Sequence, residues 1–229
     1  IRLNTDSQKL EFFAQDRWYE FATNSPILEG GGRGIVAGGN TPSQTNIIQF
    51  ITISTLGNSQ DFGDLTALTQ SNPGATGNST RGIIGGGQVF PALTNKIDLI
   101  TFSITSNAID FGDLTVARRN TIGNGNQTRG VFAGGQTDPT ARDEIDYVTM
   151  ASTGNAVDFG NLTAARKQLG GTASSPTRGL FMGGDTGSLT DVIDFITIPT
   201  TGNAEDFGDL LFALIETKGV SSSTRAVMM

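Results

Sequence analysis

The chain has 229 residues, of which 31 are glycine and only 16% are charged. Its net charge of −7 disfavours nucleic acid and anionic membranes as partners, because both demand a positive field. It has no His and no Cys, which removes the commonest general base, disulfides and thiolate metal sites; no run of about 18 apolar residues marks a membrane span.

The first 25 residues contain IleArgLeuAsnThrAsp, LeuGluPhePhe and ArgTrpTyrGluPhe. These predict a short β-meander over residues 1–25, with residues 26–229 as a separate repeat region. From about residue 28 onward, four near-copies of a 48-residue unit follow. Glycine pairs recur at Gly38/Gly39, Gly86/Gly87, Gly134/Gly135 and Gly183/Gly184. An Asp-Phe-Gly block recurs at Asp61–Gly63, Asp110–Gly112, Asp158–Gly160 and Asp206–Gly208. A fixed period of this length signals an array of supersecondary units, each too small to bury its own core.

Four strands are expected in each unit. The first is weak and polar, at Ala75–Asn78, Ile122–Asn126 and Gly171–Ser174. The second is short and apolar and ends at the glycine pair: Gly34–Ala37, Gly82–Ile84, Gly130–Ala133 and Gly179–Met182. The third is the strongest, at Ile47–Ile53, Ile97–Phe102, Ile145–Met150 and Val192–Ile198, rich in β-branched and aromatic residues. The fourth runs through the Asp-Phe-Gly block to Leu65, Leu114, Leu162 and Leu210.

The third strands carry apolar residues on both faces. Ile48/Phe50, Ile97/Leu99, Ile145/Tyr147 and Ile193/Phe195 lie on one; Ile51/Ile53, Ile100/Phe102, Val148/Met150 and Ile196/Ile198 lie on the other. A sheet with one wet face would alternate apolar and polar. Sheets stacked on like sheets are therefore expected. Phe62, Phe111, Phe159 and Phe207 are expected as core anchors between them, and the glycine pairs as positions of positive φ or close backbone approach. Asn58, Asn107, Asn155 and Asn203, three residues ahead of each block, suit turns.

The recurring charges admit two readings. Asp61/Asp64, Asp110/Asp113 and Asp206/Asp209 supply the oxygen ligands that Ca²⁺ takes. The third copy has Asn161 instead, and no EF-hand spacing is present, so structural roles are expected and no metal site is assigned. Arg33, Arg81, Arg129, Arg178 and Arg225 are expected to pair with carboxylates of neighbouring units. No catalytic, cofactor or metal residue is assigned: carboxylates that repeat with the fold are behaving as structural residues do.

On these residues the pattern resembles the kelch repeat, which forms one four-stranded blade of a β-propeller. The matching elements are the apolar strand ending in GlyGly, the aromatic strand after it, the later aromatic, and an Arg near the unit junction at Arg118 and Arg166. Phe stands where kelch blades usually carry Trp, and the LeuThrAlaAlaArg step is complete only at Leu162–Arg166. Through Arg2, Asn4, Thr5, Asp6, Leu10, Glu11 and Trp18, the N-terminal segment resembles a motif of bacteriophage tail-fibre and neck proteins. The array is similar to those in virion proteins of cyanobacterial phages. The resemblance implies an all-β, kelch-like β-propeller of four repeats plus a partial fifth. It also implies a non-enzymatic virion structural protein, a tail, neck or fibre component. Other virion proteins would be its partners, with a host surface glycan or receptor and homo-oligomerisation also compatible. The alternative is a host-side protein–protein or glycan interaction module. A galactose-oxidase-type enzyme fails on inventory, since its copper site needs His and a Tyr–Cys crosslink.

The chain stops at Thr224–Met229, inside a fifth unit. One expectation is that further units follow, which the missing fifth glycine pair favours. The other is ring closure, with Arg225–Met228 pairing to Lys9–Ala14 in a hybrid sheet.

Overall fold

The computed structural model describes residues 2–4, 9–14, 16–20, 32–40, 42–221 and 225–228. Among these the protein is all-β, in small antiparallel sheets without a helix. An N-terminal meander pairs β1 (Arg2–Asn4), β2 (Lys9–Ala14) and β3 (Arg17–Glu20) in that order. Cross-strand aromatics hold it: Phe12 stacks on Tyr19, and Phe13 meets Trp18 edge-on. Arg2 lies 3.9 Å above the Trp18 ring and donates from Nε to Glu11.

The first unit contains β4 (Arg33–Asn40), β5 (Gln44–Thr52) and β6 (Gln60–Asp64). The second contains β7 (Gly74–Gly77), β8 (Arg81–Gly85), the short ribbon β9 (Gln88–Val89) and β10 (Ala92–Leu93), then β11 (Lys96–Thr101) and β12 (Ile109–Asp113). The third repeats this with β13 (Ile122–Gly125), β14 (Arg129–Ala133), β15 (Gln136–Thr137), β16 (Thr140–Ala141), β17 (Glu144–Thr149) and β18 (Val157–Asn161). The fourth has β19 (Gly171–Ser174), β20 (Arg178–Met182), β21 (Val192–Thr197) and β22 (Glu205–Asp209). A final hairpin joins β23 (Gly219–Ser221) to β24 (Ala226–Met228).

Units two to four are four-stranded meanders in the orders β7-β8-β11-β12, β13-β14-β17-β18 and β19-β20-β21-β22. The expected strands are all present, with ends displaced by a few residues. β24 pairs with β23, and β2 with β1 and β3; the pairing of Arg225–Met228 with Lys9–Ala14 that ring closure requires is not formed among the described residues.

The Asp-Phe-Gly block is a β-bulge. Ile97 pairs with Gly112 and Asp98 with Asp110, so Phe111 is the extra residue of its strand. Units one, three and four shift register at the same place. The Asp closes the bulge by accepting the Gly N–H, at 3.0 Å for Asp110 and Gly112. The bulge turns the Phe ring into the core: Phe62, Phe111 and Phe159 are buried.

Each unit packs one face on the next. Ile48, Phe50, Phe62 and Leu65 of the first meet Ile84, Ile100 and Ala108 of the second. Ile97, Leu99, Phe111 and Leu114 meet Phe132, Val148 and Met150. Ile145, Phe159 and Leu162 meet Phe181, Ile196 and Ile198. Burial of such a side chain stabilises by about 1.5–3 kcal/mol, and an isolated unit forfeits most of it.

The two ends of the stack depart from the expectation. Ile53 of the first unit is 70% exposed. Phe207, expected as a core anchor, is 50% exposed. No unit precedes the first among the described residues, and beyond unit four only the β23–β24 hairpin is described.

Candidate interaction surfaces

The polar residues of the repeat are spent at the joints between units. In unit two, the backbone N–H of Gly87 donates to the carbonyl of Arg118 at 2.9 Å. The Arg118 side chain then crosses to unit three. Its Nη1 donates to Asp146 at 2.9 Å, its Nε to the Gly134 carbonyl and its Nη2 to the Phe132 carbonyl. Asp146 also accepts from the backbone N–H and hydroxyl of Thr115. One connecting loop is thereby clamped to both units. Glycine is required at Gly86, where φ is +76° and a Cβ would lie 2.6 Å from the Arg118 carbonyl oxygen.

The next joint repeats the arrangement with Arg166, Asp194 and Thr163. Arg118, Arg166, Asp146 and Asp194 are all fully buried. Burial pushes the Arg166 guanidinium below its ordinary value, and the Asp194 carboxylate opposes that shift. The resemblance had flagged Arg118 and Arg166. It does not mark their carboxylate partners, for which the sequence signal is an Asp recurring within apolar strands, as in Ile97-Asp98-Leu99, Ile145-Asp146-Tyr147 and Ile193-Asp194-Phe195.

Two expectations are corrected. Among the described residues, Arg33, Arg81 and Arg129 pair with no carboxylate. Each donates from Nη1 to a backbone carbonyl at the end of the next unit's third strand: Phe102, Met150 and Ile198 respectively. Arg33 and Arg129 also lie over aromatic rings of their own units, Phe50 and Tyr147. The asparagines do more than form turns. The side-chain oxygens of Asn107, Asn155 and Asn203 accept the backbone N–H groups of Asp64, Asp113 and Asn161 in the preceding unit. Both roles follow from stacking, which a reading within one unit does not reveal.

The carboxylates of the Asp-Phe-Gly blocks serve the bulges, as Asp61, Asp110, Asp158 and Asp206 each accept from the Gly two residues on. Among the described residues no three acidic side chains converge as metal ligands. Nor is any helix there long and apolar enough to cross a membrane.

Large exposed apolar side chains occur in every unit, Phe90, Ile104, Ile109 and Val157 of the interior units among them, and they include a group at each end of the stack. On unit four, a pocket of about 520 Å³ is lined by Leu180, Met182, Ile193 and Phe207, with Arg178 and Arg225 at its rim. Arg178 rests over Phe195, at 4.7 Å from the ring centre. On unit one, Val36, Ile51, Ile53 and Leu56 are exposed together. These two faces are the candidate contact surfaces.

No protein-family model matches the chain, and no curated protein matches it in sequence.

Proposed function

We propose that the protein is a non-enzymatic structural component of a bacteriophage virion, in the tail, neck or fibre, built as a kelch-like β-propeller that contacts the host surface. The observation that carries the non-enzymatic reading is the use of the recurring polar groups. Arg118, Arg166, Asp146 and Asp194 are buried in the joints, and the exposed Asp-Phe-Gly carboxylates are each engaged in closing a bulge. Such an arrangement suits a scaffold. The propeller reading is supported by meandering four-stranded sheets and by their succession. First strands β7, β13, β19 and β23 neighbour one another in turn, as innermost strands around a propeller axis do. The virion assignment rests on the N-terminal motif and on the resemblance of the array; a propeller by itself implies no function.

The test is the location of the chain. Mass spectrometry of purified particles, followed by labelling of the chain in electron micrographs, should place it in the tail, neck or fibre. Its presence only in host cells, never in particles, would overturn the assignment. A second reading, a protein- or glycan-binding module outside the virion, draws on the open apolar pocket rimmed by Arg178 and Arg225; that outcome would favour it.

A further inference from the structure

The two ends of the stack lack complementary parts of one joint. At the inner joints a third-strand carboxylate accepts from the threonine just after the fourth strand of the preceding unit: Asp98 from Thr66, Asp146 from Thr115 and Asp194 from Thr163. Strand register identifies the counterpart of these carboxylates in unit one. Asp98 pairs with Ile84 and Asp110, and Gln49 pairs in the same way with Val36 and Asp61. Gln49 is therefore neutral where the other three units carry a charge. At the far end, the Leu210 N–H donates to the Asp191 carbonyl as that of Leu114 does to Asn95. The Leu214 carbonyl accepts from Gly184 as that of Arg118 accepts from Gly87. Leu211 thus stands in place of the threonine, and Leu214 in place of the arginine. Thr69 stands in place of that arginine at the first joint, but Thr66 and Asp98 are both kept there. Among the four units, only the fourth lacks both donors and only the first lacks the acceptor.

The rest of the two faces matches as well. Val36, Ile51 and Ile53 of unit one stand at the positions of Phe132, Val148 and Met150, which are buried against unit two, yet all three are exposed. Gly57, ahead of Asn58, has φ of +155°, as does Gly154, whose N–H donates to the Phe111 carbonyl. On unit four, Phe207 is half-exposed and Leu211 is 92% exposed. Arg178, the counterpart of Arg129, meets aromatic rings but no third-strand carbonyl among the described residues. The strands are complementary too. Unit one is the sheet β4-β5-β6, without a first strand among the described residues. β23 holds a first-strand place beside β19, with β24 as the one strand paired to it. β24 is held by three residue pairs and is the counterpart of Gly34–Val36 within β4.

We propose that unit one of a second copy of this chain docks on unit four, head to tail. β23 becomes the first strand of the incoming unit by pairing with its β4, which displaces β24. The exchange replaces a strand that has no outer neighbour with one already backed by β5 and β6. Val36, Ile51 and Ile53 then cover Ile193, Phe207 and Leu210. Arg178 donates to the Ile53 carbonyl, as Arg129 does to that of Ile198. Asn58 accepts from the Asp209 N–H, as Asn203 accepts from Asn161. Gln49 lies against Leu211 and Leu214, its amide oxygen already satisfied by the Ser59 hydroxyl at 2.8 Å; a carboxylate there would be stranded. A heterologous contact of this kind builds rings or filaments. The inference stands apart from the virion reading, since it uses only the two end faces.

The experiment is sedimentation equilibrium of the purified chain over a concentration series at neutral pH, with circular dichroism to check that each variant is folded. The wild-type chain should associate reversibly as concentration rises. Gln49→Asp should weaken association on the order of a hundredfold, because the docked carboxylate finds neither donor. Adding Leu211→Thr and Leu214→Arg to that variant should restore association, by rebuilding the arrangement of Thr115, Arg118 and Asp146. Deleting residues 225–229, which removes the competing β24, should strengthen it. A wild-type chain that stays monomeric at every concentration overturns the proposal, closure of one chain on itself included. Association indifferent to Gln49→Asp, or not recovered in the folded triple variant, overturns it as well. Should the triple variant fail to fold, the deletion decides: stronger association supports the exchange of β24 for β4, and unchanged or weaker association overturns it.

Discussion

Asp146→Ala is the sharpest test of how the units are joined. Asp146 and Arg118 are both fully buried and 2.9 Å apart. Removing one partner of a buried pair strands the other charge, at a cost of about 3–5 kcal/mol. The Thr115 N–H and hydroxyl also lose their acceptor; a stranded buried donor costs about 1–3 kcal/mol. The two penalties overlap, so about 3 kcal/mol is the lower bound. That is a large share of the 5–15 kcal/mol by which domains are typically stable. Arg118→Thr should be milder. It recreates the arrangement at Asp98, where a carboxylate held by the preceding threonine's two donors persists opposite Thr69. Equilibrium urea unfolding at neutral pH, followed by circular dichroism, gives both values, with the m-value checking that the unfolding unit is unchanged. A loss below about 1 kcal/mol for Asp146→Ala, or a greater loss for Arg118→Thr than for Asp146→Ala, would refute the stranded-charge argument.

Phe111→Ala should cost about 3–5 kcal/mol, because its ring sits in the joint between units two and three; Phe207→Ala, at a half-exposed ring, should cost far less by the same denaturant titration. Asn155→Ala should lose about 1 kcal/mol by removing the acceptor of the Asp113 N–H, whereas Asn58→Ala, in a first unit with no predecessor among the described units, should be near neutral. The Asp98 carboxyl is raised from 3.8, so the folded state binds its proton more tightly than the unfolded chain does. Its contribution favours folding below that value and is lost as pH rises through the raised one. Melting curves of Asp98→Asn against wild type should therefore diverge in the variant's favour above that window; curves that run parallel across it count against the shift.

The strands and the stacking were legible because they rest on local signals. Apolar residues on both faces of the third strands at Ile97–Phe102 and Ile145–Met150 left no wet side, and both faces are covered by neighbours. The Asp-Phe-Gly block was visible as a landmark, but its meaning as a bulge depends on pairing with the third strand, which no spacing within the fourth strand reveals. The joints were harder still. The partner of Arg33 is a carbonyl 69 residues away, and every residue has a carbonyl, so sequence offers nothing to select it. The Asp146–Arg118 pair was within reach, since a charge inside an apolar strand demands a partner. Exposure at Ile53 and Phe207 was hidden by the repeat itself, which makes end positions look like interior ones.

That last point has a direct test in two glycines of equal conformation. Gly112 and Gly208 occupy the same bulge position, with φ of +147° and +136°. An alanine at either is strained by its backbone, which costs about 1–3 kcal/mol. They differ in what lies beyond. A Cβ on Gly112 would come within 2.4 Å of the Gly154 carbonyl oxygen in the next unit; on Gly208 it would meet nothing within 4 Å. Gly112→Ala must therefore force the loop of unit three away, breaking the neighbouring bonds from Gly154 N–H to Phe111 and from Ala156 N–H to Asp113. Its cost should exceed that of Gly208→Ala by at least the worth of those bonds, about 1–3 kcal/mol in total. The comparison also reports on the open face of unit four. If another sheet covers that face in solution, through further units, a second copy or a virion partner, its loop would occupy the place that the Ser106–Asn107 and Gly154–Asn155 loops hold against Gly63 and Gly112. Gly208→Ala would then be as damaging as Gly112→Ala in the assembled state, yet mild in the isolated chain. Measuring both variants alone and in assembled particles separates the two states. Equal costs in the isolated chain would show that the end of the stack is not open, and would remove the candidate contact surface on unit four.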